Sequence, residues 1–310
     1  MLEIFLKTLP FFGLIAVGYG AGRTRFFPPE ATAWLTKFVF YFALSAMLFS
    51  FSANLSLREL YDTQFVLAYL VGSGAVWLLG LVGAMGRRLG LAEAAMEAHT
   101  GMTGNTGFLG VPMLVVLLGP DAVGPVLMVL AIDLIVFSSV FTLLVTKARH
   151  GRVSPSLFAA LGLGLVRNPM IVSMLAGLAW AAADLPMPRP LGEFVSILGA
   201  AATPGALFAI GASLAARAAE RLRPAMWLSL LKLVAHPAAV WIAATMLFDV
   251  RPFDAGVMVA AAALPVAGNV YILAAHYGVA PSRVSASILI STAVSILTVP
   301  WVIAHLAIHS

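Results

Sequence analysis

The chain has 310 residues, 61% of them hydrophobic and only 10% charged, and a mean hydropathy of +1.00; soluble domains carry charge on about a quarter of their residues, so a soluble globular class is excluded. The absence of cysteine excludes disulfides, cysteine-ligated zinc and iron–sulfur clusters. A net charge of +5 raises nucleic acid as a partner, a reading that lapses once the cations are placed along the chain.

Apolar runs bounded by charge, proline or glycine predict ten membrane-spanning segments, at 3–22, 31–51, 64–86, 95–118, 121–146, 169–185, 191–215, 224–248, 254–277 and 283–307. The first has Glu3 and Lys7 near its start and no small-residue cleavage site before Arg23, so it reads as a retained helix and not a cleavable signal. The fourth is interrupted by "GNTGFLGVP", Gly104 to Pro112. The fifth carries Asp133, a carboxylate that is costly in hydrocarbon unless paired, hydrated or protonated. Residues 157–166 are apolar and Gly-rich, and read either as an interfacial stretch or as an extension of the sixth span. That span opens at "RNPM", where Asn168 suits a cap and Pro169 the first helical turn. The eighth holds Lys232 and His236, and the ninth is interrupted from Pro265 to Asn269.

Loop Lys and Arg set the expected orientation. Eleven fall on one side of this ten-span arrangement, among them Arg23, Arg87, Arg88, Lys147, Arg149, Arg217, Arg221 and Arg283, against Arg58, Arg189 and Arg251 on the other. Both termini are therefore expected outside the cytoplasm, in a multi-pass protein of the plasma (bacterial inner) membrane. The "KARHGR" run at 147–152 reads as a topology signal and not a nucleic-acid patch.

The chain repeats itself. "LPFFGLIAVGYGAG" from Leu9 resembles "NPMIVSMLAGLAWA" from Asn168, and "LLGPDAVGPVLM" resembles "HYGVAPSRVSAS"; the pairs Pro10/Pro169, Gly18/Gly177 and Gly119/Gly278 share one offset of 159. Five spans per copy is odd, so the copies must lie in opposite orientations, an inverted repeat of the kind common in secondary transporters. The expected division is 1–148, a short cytoplasmic linker at 149–156, and 157–310.

Two interrupted spans at corresponding places point to a binding site, because broken helices expose backbone groups that lipid cannot satisfy. Half-helix N-termini carry positive partial charge suited to an anion. The candidate substrate-binding residues are Asn105, Thr106, Gly107, Gly110 and Pro112 in the first break, with Pro265, Gly268 and Asn269 in the second. The asparagines would offer amide groups, the glycines close backbone approach, and the prolines the break itself. The plainer alternative makes the asparagines caps and the glycines packing points. Asp133 is a candidate for proton or cation coupling, or else a structural partner of Lys232 or Ser139; Lys232 could instead snorkel to the surface. His99, two turns before the first break, is a minor candidate as a titrating group, and His236 reads as a packed helix residue. Zincin, hydrolase-elbow, dinucleotide and phosphate-loop motifs are missing, so no enzyme, cofactor or metal site is expected.

"NTGFLGVPML" (Asn105 to Leu114) and "ALPVAGNVYILAAHYGVAP" (Ala263 to Pro281), supported by "RNPMIVSMLAGL" and "PGALFAIGASLA", resemble the auxin efflux carrier family, which includes the plant PIN-formed carriers. The resemblance implies an all-α fold of ten helices in two inverted five-helix repeats, akin to bile-acid sodium symporters. Spans 1, 2, 6 and 7 would form a scaffold, and spans 3–5 and 8–10 a moving transport domain with broken helices four and nine crossing at its centre. It further implies elevator-type alternating access, a homodimer, and a small organic anion as substrate, either auxin-like or a dicarboxylate. Val270 stands where the plant carriers have a second crossover proline, and the 147–156 loop is short. The alternatives are a ligand-sensing membrane module, a channel, and a cation-coupled symporter of the bile-acid type.

Overall fold

A computed structural model describes residues 2–55, 62–150, 155–215 and 222–306. Arg58, Arg152, Arg217 and Arg221 of the charge count, and 151–154 of the linker, lie outside the described residues. Thirteen helices account for nearly all that is described: α1 Leu2–Arg23, α2 Pro29–Ala53, α3 Thr63–Gly86, α4 Leu91–Met102, α5 Thr106–Leu118, α6 Pro120–Arg149, α7 Pro155–Arg167, α8 Pro169–Ala182, α9 Arg189–Ala215, α10 Leu222–Leu247, α11 Pro252–Ala262, α12 Gly268–His276 and α13 Pro281–Leu306. Prolines set many of the starts, because a residue without an N–H costs nothing in a helix's first turn. Asp62 caps α3 by accepting from the Gln64 N–H at 2.8 Å.

Among the described residues seven helices (α1, α2, α3, α6, α9, α10 and α13) are long and apolar enough to cross a membrane, or eight if α7 and α8 form one bent span. The 157–166 stretch is thus a helix of its own, set at 69° to α8. Asn168 sits at the bend and caps α8, accepting from the Met170 N–H at 3.0 Å. Where the sequence predicts spans four and nine there are two pairs of short helices, α4/α5 and α11/α12. The inner halves are sheathed by other helices: Ala94 through Met102 and Asp254 through Ala262 are all buried. Irregular backbone at membrane depth is tolerable only under such cover or beside a watery cavity.

Packing divides the helices into two groups. In the first, α1 lies on α9 and α8 on α2, each through small residues. A Cβ at Gly18 would strike the Phe208 carbonyl, one at Gly211 the Ile15 carbonyl, and one at Gly177 would stand 2.6 Å from the Phe49 carbonyl. In the second group α3, α4, α6, α10, α11 and α13 pack together; Gly72 lets α3 approach α10, with Val240 Cα 2.7 Å from its Cβ position. An ion cluster with a buried Glu97–Arg283 pair at its heart ties this group at one end. Glu97 of α4 takes Arg283 of α13 at 2.5 Å and Arg87 just after α3, while Arg283 also reaches Glu93 at 3.2 Å. Arg87 and Arg283, counted above toward the expected orientation, therefore also serve packing.

Gly211→Ala is expected to destabilise the protein by about 1–3 kcal/mol through overpacking, seen as a lower melting temperature in detergent. Gly13→Ala on α1, with nothing within 4 Å of its Cβ position, should leave it unchanged or raise it.

Candidate functional site

The two breaks meet. Asn105 N–H donates to the Pro265 carbonyl at 2.8 Å and Ala267 N–H to the Thr103 carbonyl at 3.1 Å, which makes an isolated antiparallel bridge between Gly104 and Val266. Backbone groups that lipid would strand are thus paired with each other. The rest of the accounting is local: Val266 N–H donates to Ser291 Oγ at 3.1 Å, and the Asn105 carbonyl accepts from Leu109 and Gly110 N–H at 3.1 and 2.9 Å. Pro265 has no N–H to satisfy and contributes only its carbonyl. Gly104 is closely covered: a Cβ there would stand 3.2 Å from Lys232 Cε and Nζ and 3.3 Å from the Ala261 carbonyl, so those neighbours would have to give by a few tenths of an ångström.

A cavity of about 620 Å³ opens beside this bridge. Asn105 and Gly107, at the start of α5, line it, as do Ala267 and Asn269 at the start of α12. Two half-helices therefore begin at one cavity wall, and their N-termini place positive partial charge there. The rest of the lining comes from α2, with Thr36, Lys37 and Tyr41, and from α7 and the start of α8; α6 adds Asp133, Ser139 and Thr142. Asn269 Oδ1 and Asp133 Oδ2 are buried acceptors without a protein hydrogen-bond partner, an expensive state that a hydrogen-bond donor or a cation relieves.

Of the sequence-predicted residues, Asn105, Gly107, Asn269 and Asp133 line the cavity. Thr106 is buried beside it and its Oγ1 has no partner. Gly110 packs on Leu264, whose Cδ1 is 2.5 Å from its Cβ position. Pro112 lies in the first turns of α5, Pro265 in the bridge, and Gly268 opens α12. The prolines shape the break without lining the cavity. The π-turn Thr106–Gly110 follows from Pro112, which cannot donate to a helical carbonyl.

The intramembrane charges are placed in a way the sequence did not disclose. Tyr69 OH donates to Asp133 Oδ1 at 2.9 Å, so the carboxylate's hydrogen-bond partner is a tyrosine, while Lys232 is a neighbour that acts on it through charge. Lys232 does not reach a surface: its side chain is fully buried, and its ammonium donates to the Ala262 carbonyl and, at 3.0 Å, to His236 Nδ1. The imidazole hydrogen then sits on Nε2 and donates to Ser73 Oγ at 2.8 Å. Asp133 and Lys232 each occupy a π-turn, a helical irregularity that concentrates at functional sites. The available signal was Tyr69 and Ser73, polar residues one turn apart in an apolar span. His99 is packed, stacking on Phe141 at 4.9 Å and bonded to Thr103 Oγ1 at 3.2 Å. Arg149, from the basic run, holds the Tyr277 carbonyl at the end of α12.

A family model described as "Membrane transport protein" matches residues 3–303. The "Putative malonate transporter" of Rhizobium meliloti (strain 1021) is 34% identical over 315 residues, covering 96% of this chain and 94% of that protein. The "Uncharacterized transporter YfdV" of Escherichia coli (strain K12) is 26% identical over 312 residues, covering 97% and 98%. The names in this family are those of transporters and not of enzymes. With its broken helices crossing at one cavity, the chain belongs to the membrane transport protein family, the auxin efflux carrier group that its two break motifs resemble.

Proposed function

We propose that the protein is a secondary transporter that carries a small carboxylate, of the size of a dicarboxylate such as malonate, by elevator-type alternating access. The observation that carries this reading is the convergence of the α5 and α12 N-termini, with Asn105 and Asn269, on one cavity wall. A small anion gains there from two helix ends and two amides, with Lys37 a cation on the same cavity's lining. The malonate named for one relative fits that chemistry.

On this reading α4/α5 and α11/α12 are the fourth and ninth of ten spans, related by inverted repetition. Three repeat-matched features support it. Gly119 and Gly278 both take positive φ, 92° and 57°. Gly18 and Gly177 both bring their helices onto a partner backbone. Contacts α1 to α9 and α8 to α2 correspond when the halves are exchanged. The group α1, α2, α8 and α9 is the scaffold, the other group is the transport domain, and the cavity lies between them. Lys37, Thr142, Gly164 and Tyr277 on its walls all lie toward the Lys- and Arg-rich ends, so the conformation is open to the cytoplasm, with both termini outside. The functional unit is a homodimer in the cell membrane.

Asp133 serves as the coupling group, holding a proton or sensing a cation while Tyr69 fixes its orientation. Asp133→Asn is expected to change the transport rate and its dependence on pH; a variant that follows the wild type at every pH would contradict that role. The substrate reading is tested by thermal unfolding of the purified protein over a panel of small carboxylates. A stabilisation by malonate that Asn105→Ala abolishes supports it, and indifference to every carboxylate overturns it.

A further inference from the structure

The cavity draws anion-binding groups from both sets of helices. At the crossing, the N-termini of α5 and α12 and the amides of Asn105 and Asn269 suit one carboxylate. From the other set, α2 contributes Lys37, the sole cation among the described residues of the lining. One contact shows how near the two lie. Phe40, one turn after Lys37 on α2, stacks on Phe108, one turn after Asn105 on α5, with ring centroids 6.3 Å apart. Helices in such contact lie about 8–10 Å axis to axis, a gap that a lysine stem and a diacid of about three to five carbons close together. The ammonium is also free to act. Trp34, one turn earlier, holds it 4.4 Å from its ring centroid, a contact that orients the charge and leaves its N–H donors open. Lys37 has no hydrogen bond or ion pair among the described residues. Asp133, the carboxylate on the same lining, bonds to Tyr69 and has Lys232 as its charged neighbour.

We propose that Lys37 takes the second carboxylate of the substrate, and so makes the site selective for dicarboxylates over monocarboxylates. The inference rests on the crossing being the carboxylate site, and names what the other end of the substrate meets. Lysine suits the task because its ammonium is a compact charge with three donors on a flexible stem. It can follow a carboxylate whose distance from the first varies, so the selection is for a second negative charge and not for one chain length. An arginine there would keep the charge, and a glutamine would keep most of the length without it. The placement has a consequence for the transport cycle. α2 belongs to the set assigned as scaffold, and α5 and α12 to the set that moves. A dicarboxylate held at both ends therefore spans the boundary between them, and Lys37 acts on it only in the conformation open to the cytoplasm.

The test compares the purified wild type with Lys37→Gln and Lys37→Arg. Thermal unfolding is titrated with malonate and with propionate, an acid of the same chain length with a single carboxylate. The Lys37 side chain is exposed, so all three proteins should fold and melt alike without ligand. Lys37→Gln should bind malonate about five- to tenfold more weakly, the scale of a hydrogen-bonded ion pair open to solvent. It should bind propionate within about twofold of the wild type, and Lys37→Arg should hold malonate within the same limit. Malonate binding unchanged in Lys37→Gln would overturn the proposal and leave Lys37 as a lysine that snorkels to the surface. An equal weakening of both acids would overturn it too, since the charge would then serve any anion. Should propionate shift none of the proteins, malonate alone decides: Lys37→Gln must weaken it and Lys37→Arg restore it. If malonate does not stabilise the wild type, the substrate reading fails and this inference with it; a wild type that binds beside an indifferent Lys37→Gln fails this inference alone.

Discussion

Replacing Asn105 with alanine is expected to weaken malonate binding by about 10–150-fold, the range of a single hydrogen bond to a charged group. The substitution isolates the side chain because the backbone is independently fixed. Asn105 N–H is held by Pro265, and its carbonyl by Leu109 and Gly110. Its φ of −77° is open to alanine. The unliganded melting temperature should therefore change little while the ligand-induced shift collapses. Titrated melting curves check both halves of that statement. A variant with native affinity would show that the amide faces the cavity without using it.

Gly104→Val is expected to reduce transport by about tenfold or more, by disturbing the bridge and by intruding on the cavity that Gly104 itself lines. The added Cβ would stand 3.2 Å from Lys232 Cε and Nζ and 3.3 Å from the Ala261 carbonyl. These neighbours must give by a few tenths of an ångström, and valine's branched methyls add to that, so the expected loss comes from a looser hold of the ammonium on Ala262 and a displaced Gly104–Val266 bridge. Gly74→Val, in α3 with nothing within 4 Å of its Cβ position, is the matched control and should transport normally. The comparison is read as initial uptake into liposomes at equal reconstituted protein. Equal rates for the two variants would mean that the bridge does not position the site.

The breaks were legible in the sequence because they are written in local chemistry. Gly104, Asn105, Gly110, Pro112 and Pro265 are residues whose backbone preferences oppose a continuous helix wherever they stand. The same holds for the cap at Asn168. What the two breaks do to each other was not legible, since the bridge joins residues more than 150 positions apart. The polar side chains behave likewise. Asp133 and Lys232 announce that each needs partners, yet Tyr69 and Ala262 are 64 and 30 residues away on other helices. Periodicity in an apolar span reports depth and not neighbours. The π-turn at Asp133 also escaped, because no proline follows it and the widening there is set by what packs against it; the one at Lys232 precedes Pro237 as the first break's precedes Pro112, and that mark stood in the sequence.

The most direct measurement is counterflow. Liposomes containing the protein are loaded with unlabelled malonate and placed in a trace of labelled malonate, with Asn105→Ala alongside. A carrier with one alternating site takes up label transiently above equilibrium, saturates with internal malonate, and loses the overshoot in the variant. Label that enters in proportion to concentration and is indifferent to internal malonate would identify an open pore, and malonate that stabilises the protein without any flux would identify a sensor. Either result would contradict a carrier built on the crossing of α4/α5 with α11/α12.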